Sequence, residues 1–219
     1  MKIDLATMPL ELQPIAAEAQ KFLELRNIYH SAIREVSTKL EILDDEFQVK
    51  NDYNPIHHMV SRVKSIQSTF EKVSRKGLEM TVESMKSLTD IAGIRVICNY
   101  IDDIYRISEL LLRQDDIELL RKKDYIANPK ESGYRSLHLV ILVPVFLAER
   151  TEKVPVEIQI RTIAMDTWAS LEHELKYKRD GELDQASIQE LRYCAGAMAD
   201  IDERMQRIHK GINNEQLEI

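Results

Sequence analysis

The chain has 219 residues, 44% hydrophobic and 31% charged, enough for one well-buried core in a single domain but with no apolar run near the roughly 18 residues a membrane span needs. A net charge of -7 gives no global attraction to nucleic acid or to an anionic membrane, so any site for a polyanion has to be local. The first residues, MKIDLATMPLELQP, carry Asp4 and Glu11 where an export signal has an apolar core, and Cys98 and Cys194 stand alone without metal-like spacing; this reads as an unprocessed, cytoplasmic protein with two buried thiols.

Along the chain, apolar residues at 22, 25, 29, 33, 36, 40, 43 and 47 keep a near-heptad spacing, the seam of a long helix that packs either on its own domain or on another subunit. Asn54-Pro55 then reads as a helix N-cap and first-turn proline, with Gly77 as the stop. A helix between them gathers Val60, Val63, Ile66, Phe70 and Val73 on one side and Lys64, Ser68, Lys72 and Arg75 on the other. Apart from Glu71 that basic face has no acidic neighbour. It suits either solvent or a phosphate chain lying along it.

A short helix is expected over 82–88, then a buried strand over 93–100 with Asp90 just before it. Arg95 sits inside this apolar strand, where an unpaired charge is costly, so it is expected to emerge into a cleft. Asp102-Asp103 open another helix, whose Ile104, Ile107, Leu110 and Leu111 face the core. A second strand over 117–126 holds the basic run Arg121-Lys122-Lys123 and Asp124. The loop NPKESGYRS follows, with Asn128-Pro129 and Gly133 as turn residues, and a third strand covers 137–146.

Over 154–161 Val154, Val156, Ile158 and Ile160 alternate with Glu157, Gln159 and Arg161, a strand with one buried and one polar face; a solvated outer face is the plain reading of the polar row. Thr162 can cap the next helix, in which Ala164, Trp168, Leu171 and Leu175 recur at three and four residues, and such a junction suits an anion. A second heptad-like seam runs through Leu191, Cys194, Met198, Ile201, Met205 and Ile208, and 213–219 reads as a frayed tail. The fold class is α+β, a mixed α/β arrangement of four or five strands flanked by helices, in one domain over 1–219. Its parts are an N-terminal helical seam (15–50), a central core (54–178) and a C-terminal helical seam (183–210).

There is neither GxxxxGK[ST] nor GxGxxG, so side-chain cations rather than a glycine-rich backbone must hold any nucleotide phosphates. Asp90 and Glu157 are suited to metal binding and base chemistry, and Tyr134 to stacking on a nucleobase. DIAGIRVICNY from Asp90, KESGYRSLHL from Lys130 and EIQIRTIAMDTWASLEHELKYK from Glu157, in that order, resemble the synthetase domain of the RelA/SpoT family of alarmone synthetases. The length and the SRVKS and NPK variants resemble its stand-alone small members of the RelP type.

The resemblance implies a nucleotidyltransferase-like synthetase fold of about five strands, and transfer of pyrophosphate from ATP to the ribose 3′-hydroxyl of GDP or GTP with release of AMP. It further implies that Asp90 and Glu157 hold magnesium and that Glu157 takes or orients the proton of the attacking hydroxyl. On the ATP side, Arg62 and Arg95 would flank the adenine and Lys64, Ser68, Lys72 and Arg75 the phosphates. On the GTP side, Tyr134 would stack on guanine, Lys123, Lys130 and His138 would lie near phosphates, Gln159 beside the site and Asp166 near the guanine donors. Residues 121–124 resemble the basic RxKD variant, which implies one magnesium ion at the donor site. The HD-type hydrolase motif is missing, which implies synthesis without alarmone hydrolysis, and small relatives imply a homotetramer. His57, His58, His173 and His209 have no ligand spacing. The rival function is a nucleotide- or RNA-binding regulator on the same fold, against which stands the presence of Asp90, Tyr134, Glu157 and the basic stripe together.

Overall fold

Among the described residues five strands form, β1 (Ile56–Val63), β2 (Ala92–Cys98), β3 (Glu118–Asp124), β4 (Leu137–Phe146) and β5 (Thr151–Thr162). Six helices accompany them among the described residues: α1 (Gln13–Lys50), α2 (Ile66–Arg75), α3 (Val82–Lys86), α4 (Ile101–Leu112), α5 (Ile163–Tyr177) and α6 (Gln185–Gln216). The computed structural model describes residues 13–50, 53–177 and 183–216; the expectations about the first twelve residues and about 217–219 lie outside them. The sheet runs in the order β1-β2-β5-β4-β3, with β2 and β5 parallel and every other neighbouring pair antiparallel.

Alternation decides the two faces of the sheet. Val156, Ile158 and Ile160 of β5 lie beside Ala92, Ile94 and Val96 of β2 and beside Ile141, Leu139 and Leu137 of β4. All nine are buried, and α1 and α4 close over them in one core. Each buried Val, Leu or Ile among them contributes about 1.5–3 kcal/mol by leaving water. The seam on α1 faces this core, with Leu25, Tyr29, Ile33, Val36, Leu40 and Phe47 buried, so it packs on its own sheet. The opposite face carries two cross-strand rows. One is Arg62, Gly93, Glu157, Val140 and Arg121; the next is Val60, Arg95, Gln159, His138 and Lys123.

The helix expected between Asn54 and Gly77 is instead a strand followed by a helix. The Asn54 side chain accepts from the Ile56 backbone N–H at 2.9 Å, an Asx turn that starts β1 rather than a helix. The helix begins only after Ser65, whose hydroxyl accepts from the Ser68 N–H; Gly77, at φ 67°, is its stop. As an edge strand β1 is mostly exposed, so its residues show no clean alternation, and Val60, assigned to the apolar side of a helix, is 52% exposed.

A helical repeat does not say how far its partner extends. On α5, Trp168 is buried but Leu171 and Leu175 are exposed. On α6, Leu191 and Met198 reach a small second cluster around Trp168, Ala169 and Ala195, whereas Ile201, Met205 and Ile208 are exposed. Cys194 is exposed too, while Cys98 is buried. The helix α6 continues to Gln216, through part of the stretch expected to fray. Gln206 accepts from the Asp102 N–H at 2.9 Å, Lys210 pairs with Asp102, and His209 stacks on Tyr100 at 4.1 Å, tying the end of α6 to the start of α4.

Candidate active site

The polar sheet face forms the floor of a cleft of about 220 Å³, lined by Val60, Arg62, Lys64, Asp90, Ile91, Gly93, Ile94, Arg95, Glu157 and Gln159. Asp90 and Glu157, 67 residues apart in the chain, therefore share one concavity. The strand register accounts for Glu157, Gln159, Arg62 and Arg95; Asp90 enters from the turn before β2 and Lys64 from the turn after β1.

Oδ2 of Asp90 takes two cations, Lys64 Nζ at 2.9 Å and Lys72 Nζ at 2.5 Å. Burial alone would raise the pKa of this carboxyl, but the hydrogen bonds from Lys72 and Lys64 outweigh it and hold the group below the ordinary carboxylate value. The basic stripe is thus not unpaired, as its sequence suggested: it converges on a carboxylate that sequence distance hid. Of the stripe, Lys64 lines the cleft and Lys72 reaches it through Asp90. Ser68 bonds Ser65 at 2.9 Å, and Arg75 is exposed at the far end of α2. The other oxygen of Asp90, Oδ1, is buried and has no hydrogen-bond partner among the described residues. Among the described residues no three His, Cys, Asp or Glu side chains make a self-sufficient metal site. Two hard carboxylates, one with an orphaned oxygen, fit a cation such as magnesium, which completes its shell with water and substrate phosphates.

On the other side of Glu157 the polar groups are locked together by Arg161, which strand alternation alone puts on a solvated row. It is 4% exposed. Its Nη2 donates to the Tyr134 hydroxyl at 2.6 Å and also to Gln159 Oε1, its Nη1 lies 3.2 Å from Asp166 Oδ1, and its Nε donates to Ser136 at 3.4 Å. Burial lowers the pKa of this guanidinium, while Tyr134 and Asp166 favour its charge. Asp166 also accepts from Arg95 at 3.1 Å, so the first turn of α5 is already filled by the chain's own carboxylate. The junction that suited an anion holds one internally. Thr162 is the cap, accepting from the Met165 N–H at 3.1 Å.

Because the Tyr134 hydroxyl accepts from Arg161, its own proton points to His138 Nε2, 2.8 Å away. The imidazole hydrogen then sits on Nδ1, 3.9 Å from Glu157 Oε1. Burial, followed by the nearby cations Arg161, Lys130, Lys123 and Arg121, pushes the His138 pKa down to about 4, so the ring is neutral near pH 7. Lys130 Nζ lies 4.6 Å from the Tyr134 ring centre and 4.7 Å from that of Tyr125. Lys123 is exposed on β3, beside His138 in the register. Gln159 donates to Glu157 Oε2 at 3.1 Å, joining this network to the carboxylate at the centre. Arg161 had one visible signal: alternation put it on the same face as Glu157 and Gln159.

The family described as the region found in RelA / SpoT proteins matches residues 61–182. GTP pyrophosphokinase YwaC of Bacillus subtilis is 44% identical over 187 residues, covering 85% of this chain and 89% of that protein. The small alarmone synthetase 1 of Bacillus subtilis bound to its product pppGpp superposes with a TM-score of 0.82 at 35% identity, over 88% of this chain and 98% of that one. The same synthetase bound to AMPCPP gives 0.76 at 33% identity, again over 88% and 98%.

Proposed function

The chain belongs to the RelA/SpoT family, among its small alarmone synthetases, and on that footing we propose that its cleft transfers a pyrophosphoryl group from ATP to the ribose 3′-hydroxyl of GDP or GTP. The observation that carries this reading is the meeting of Asp90 and Glu157 in one cleft, with cations on one flank and an aromatic network on the other. Its support from relatives is that the small alarmone synthetase 1 has been seen with pppGpp and with AMPCPP.

In this mechanism Lys64, Lys72, Ser68 and Arg75 hold the donor phosphates, and Arg62 and Arg95 flank the adenine with their flat guanidinium faces. Tyr134 stacks on the guanine, Lys123 and Lys130 meet the acceptor phosphates, and His138 and Gln159 keep Tyr134 and Glu157 in place. Asp166 accepts from the guanine N–H groups once Arg95 turns to the donor. The 3′-oxygen attacks the β-phosphorus in line, the bond from that phosphorus to the oxygen bridging it to the α-phosphorus breaks, and AMP leaves. Glu157 orients the 3′-hydroxyl and accepts its proton. Asp90 and Glu157 would hold magnesium, which would neutralise charge on the phosphates.

Purified protein with ATP, GTP and magnesium is expected to yield AMP and a 3′-pyrophosphorylated guanosine product. Glu157→Gln keeps a group able to meet Gln159 but removes the base, and should lower the rate by about 10² to 10⁴-fold without changing thermal unfolding. Full activity in that variant would remove Glu157 from the chemistry.

The C-terminal helix offers a surface for assembly. Ile201, Met205, Ile208 and Ile212 are exposed at three- and four-residue spacing along α6, an apolar stripe suited to a second copy of the same helix. The resemblance to small alarmone synthetases implies that such copies assemble as a homotetramer. Light scattering should return four times the chain mass of 25.5 kDa, and Met205→Glu should lower it.

A further inference from the structure

We propose that α6 is a positioning element for the acceptor half of the cleft and that it acts through Ala195 and Asp202; the proposal rests on the synthetase reading above. The turn that carries the acceptor loop lies directly on this helix. Gly133 has φ 89°, and a Cβ added to it would stand 2.4 Å from the Ala195 Cβ and 3.9 Å from the Arg192 Cα. That turn is closed by two backbone bonds, Gly133 N–H to Lys130 O at 2.8 Å and Lys130 N–H to Tyr134 O at 3.2 Å. Displacing residue 133 therefore displaces both Lys130 and Tyr134.

The neighbouring residues are held by the same helix. Tyr134 packs on the small cluster of Trp168, Ala169 and Ala195, separate from the main core, and Trp168 Nε1 donates to the Leu191 carbonyl at 2.9 Å. Arg135 has two buried nitrogens, Nε and Nη1, without a partner among the described residues, and shares with Asp202 a cavity of about 10 Å³, room for about one bridging water. Asp202 in turn accepts from the Thr162 hydroxyl at 2.6 Å, the cap next to Arg161. One helix thus grips both walls of the acceptor half, the loop at 133–135 and the β5–α5 junction. Its main packing partners are α5 and α4. The donor cations Arg62, Lys64 and Lys72 stand on β1, the turn after it and α2.

Bulk at position 195 should then separate the two substrates. Ala195→Leu is expected to raise the KM for GDP by about tenfold or more, with the KM for ATP within about twofold of the parent, since misplacement by about 1 Å costs that much or more. Ala195→Ser, nearly isosteric, and Ala197→Leu, on the exposed side of the same helix, should match the parent protein. Trp168 is the only tryptophan, so its emission in a GDP titration without ATP gives acceptor affinity independently of turnover, and the Ala195→Leu curve should shift to the same extent. Equal rises in both KM values, or none, in a folded Ala195→Leu protein would overturn the proposal. Should that variant not fold, Asp202→Asn decides: it keeps an acceptor for Thr162 while removing the charge near Arg135, and an unchanged GDP titration would overturn the proposal. Failure of the parent protein to make product from ATP and GDP would instead overturn the synthetase reading.

Discussion

The two halves of the cleft use opposite electrostatic strategies. On the donor flank, two lysines share one oxygen of Asp90, and Arg62 and Arg75 are exposed; these are solvated or interchangeable charges, ready to move onto phosphates. On the acceptor flank, a single buried guanidinium fixes Tyr134, Gln159, Asp166 and Ser136 at once. A flexible triphosphate can be met by cations that rearrange, because phosphate recognition tolerates many geometries. A planar base that must place one hydroxyl beside Glu157 needs groups already in position. Glu157 stands at the seam, tied to the rigid side through Gln159.

The contrast breaks most severely at Arg161. Replacing it with Met takes the shared donor from Tyr134, Ser136, Gln159 and Asp166 and should destabilise the fold by about 3 kcal/mol, lowering the melting midpoint by about 10 °C. The surviving folded protein should lose acceptor affinity while donor affinity is nearly kept. Arg161→Lys restores the charge but not the fork and should recover only part of either loss. Equal loss of both substrates would mean that the two flanks are one network.

A smaller effect is expected on the donor side. Lys72→Met leaves Asp90 its contact with Lys64, so the melting midpoint should barely change, whereas the KM for ATP should rise by about tenfold for loss of one charge-assisted contact to phosphate. Isothermal titration with AMPCPP separates that from any effect on turnover. A large fall in stability instead would show that Lys72 serves mainly to neutralise Asp90.

The same contrast explains what could be read in advance. The span 137–146 was legible in full, because β4 is a central strand with apolar residues packed on a covered face. The polar face of β5 was legible as a row, because alternation needs no knowledge of neighbours. β1 was not: as an edge strand it has one unpaired side and little burial, and its residues happened to fit a helical period running into α2. Its placement depends on the register Arg62 to Gly93 to Glu157, which joins three distant segments. The pairing of Lys64 and Lys72 with Asp90 was hidden for the same reason. Arg161 was visible as a position but not as a buried hub, because its burial comes from the 134–136 loop and α5. The role of α6 turns on where Gly133 and Trp168 touch it, which no heptad pattern states.

His138 offers the finest test of how rigid the acceptor flank is. Its pKa is pushed down to about 4, first by burial and then by Arg161, Lys130, Lys123 and Arg121, against an ordinary value near 6.5. The folded protein keeps the ring neutral while the unfolded chain takes up a proton below about pH 6.5, so the stabilisation is complete above that pH and is lost as pH falls towards 4. At pH 5.5 the loss should be about 1 kcal/mol relative to pH 7.5. His138→Gln retains an acceptor for the Tyr134 hydroxyl without a titrating ring and should flatten this part of the pH–stability curve, measured by urea unfolding at each pH. The carboxylates common to both proteins titrate alike, so the difference between the two curves isolates the imidazole. A variant curve parallel to that of the parent from pH 7.5 to 5 would mean that His138 protonates freely in the folded state, and that the network around Tyr134 and Arg161 yields to charge as readily as the lysines around Asp90.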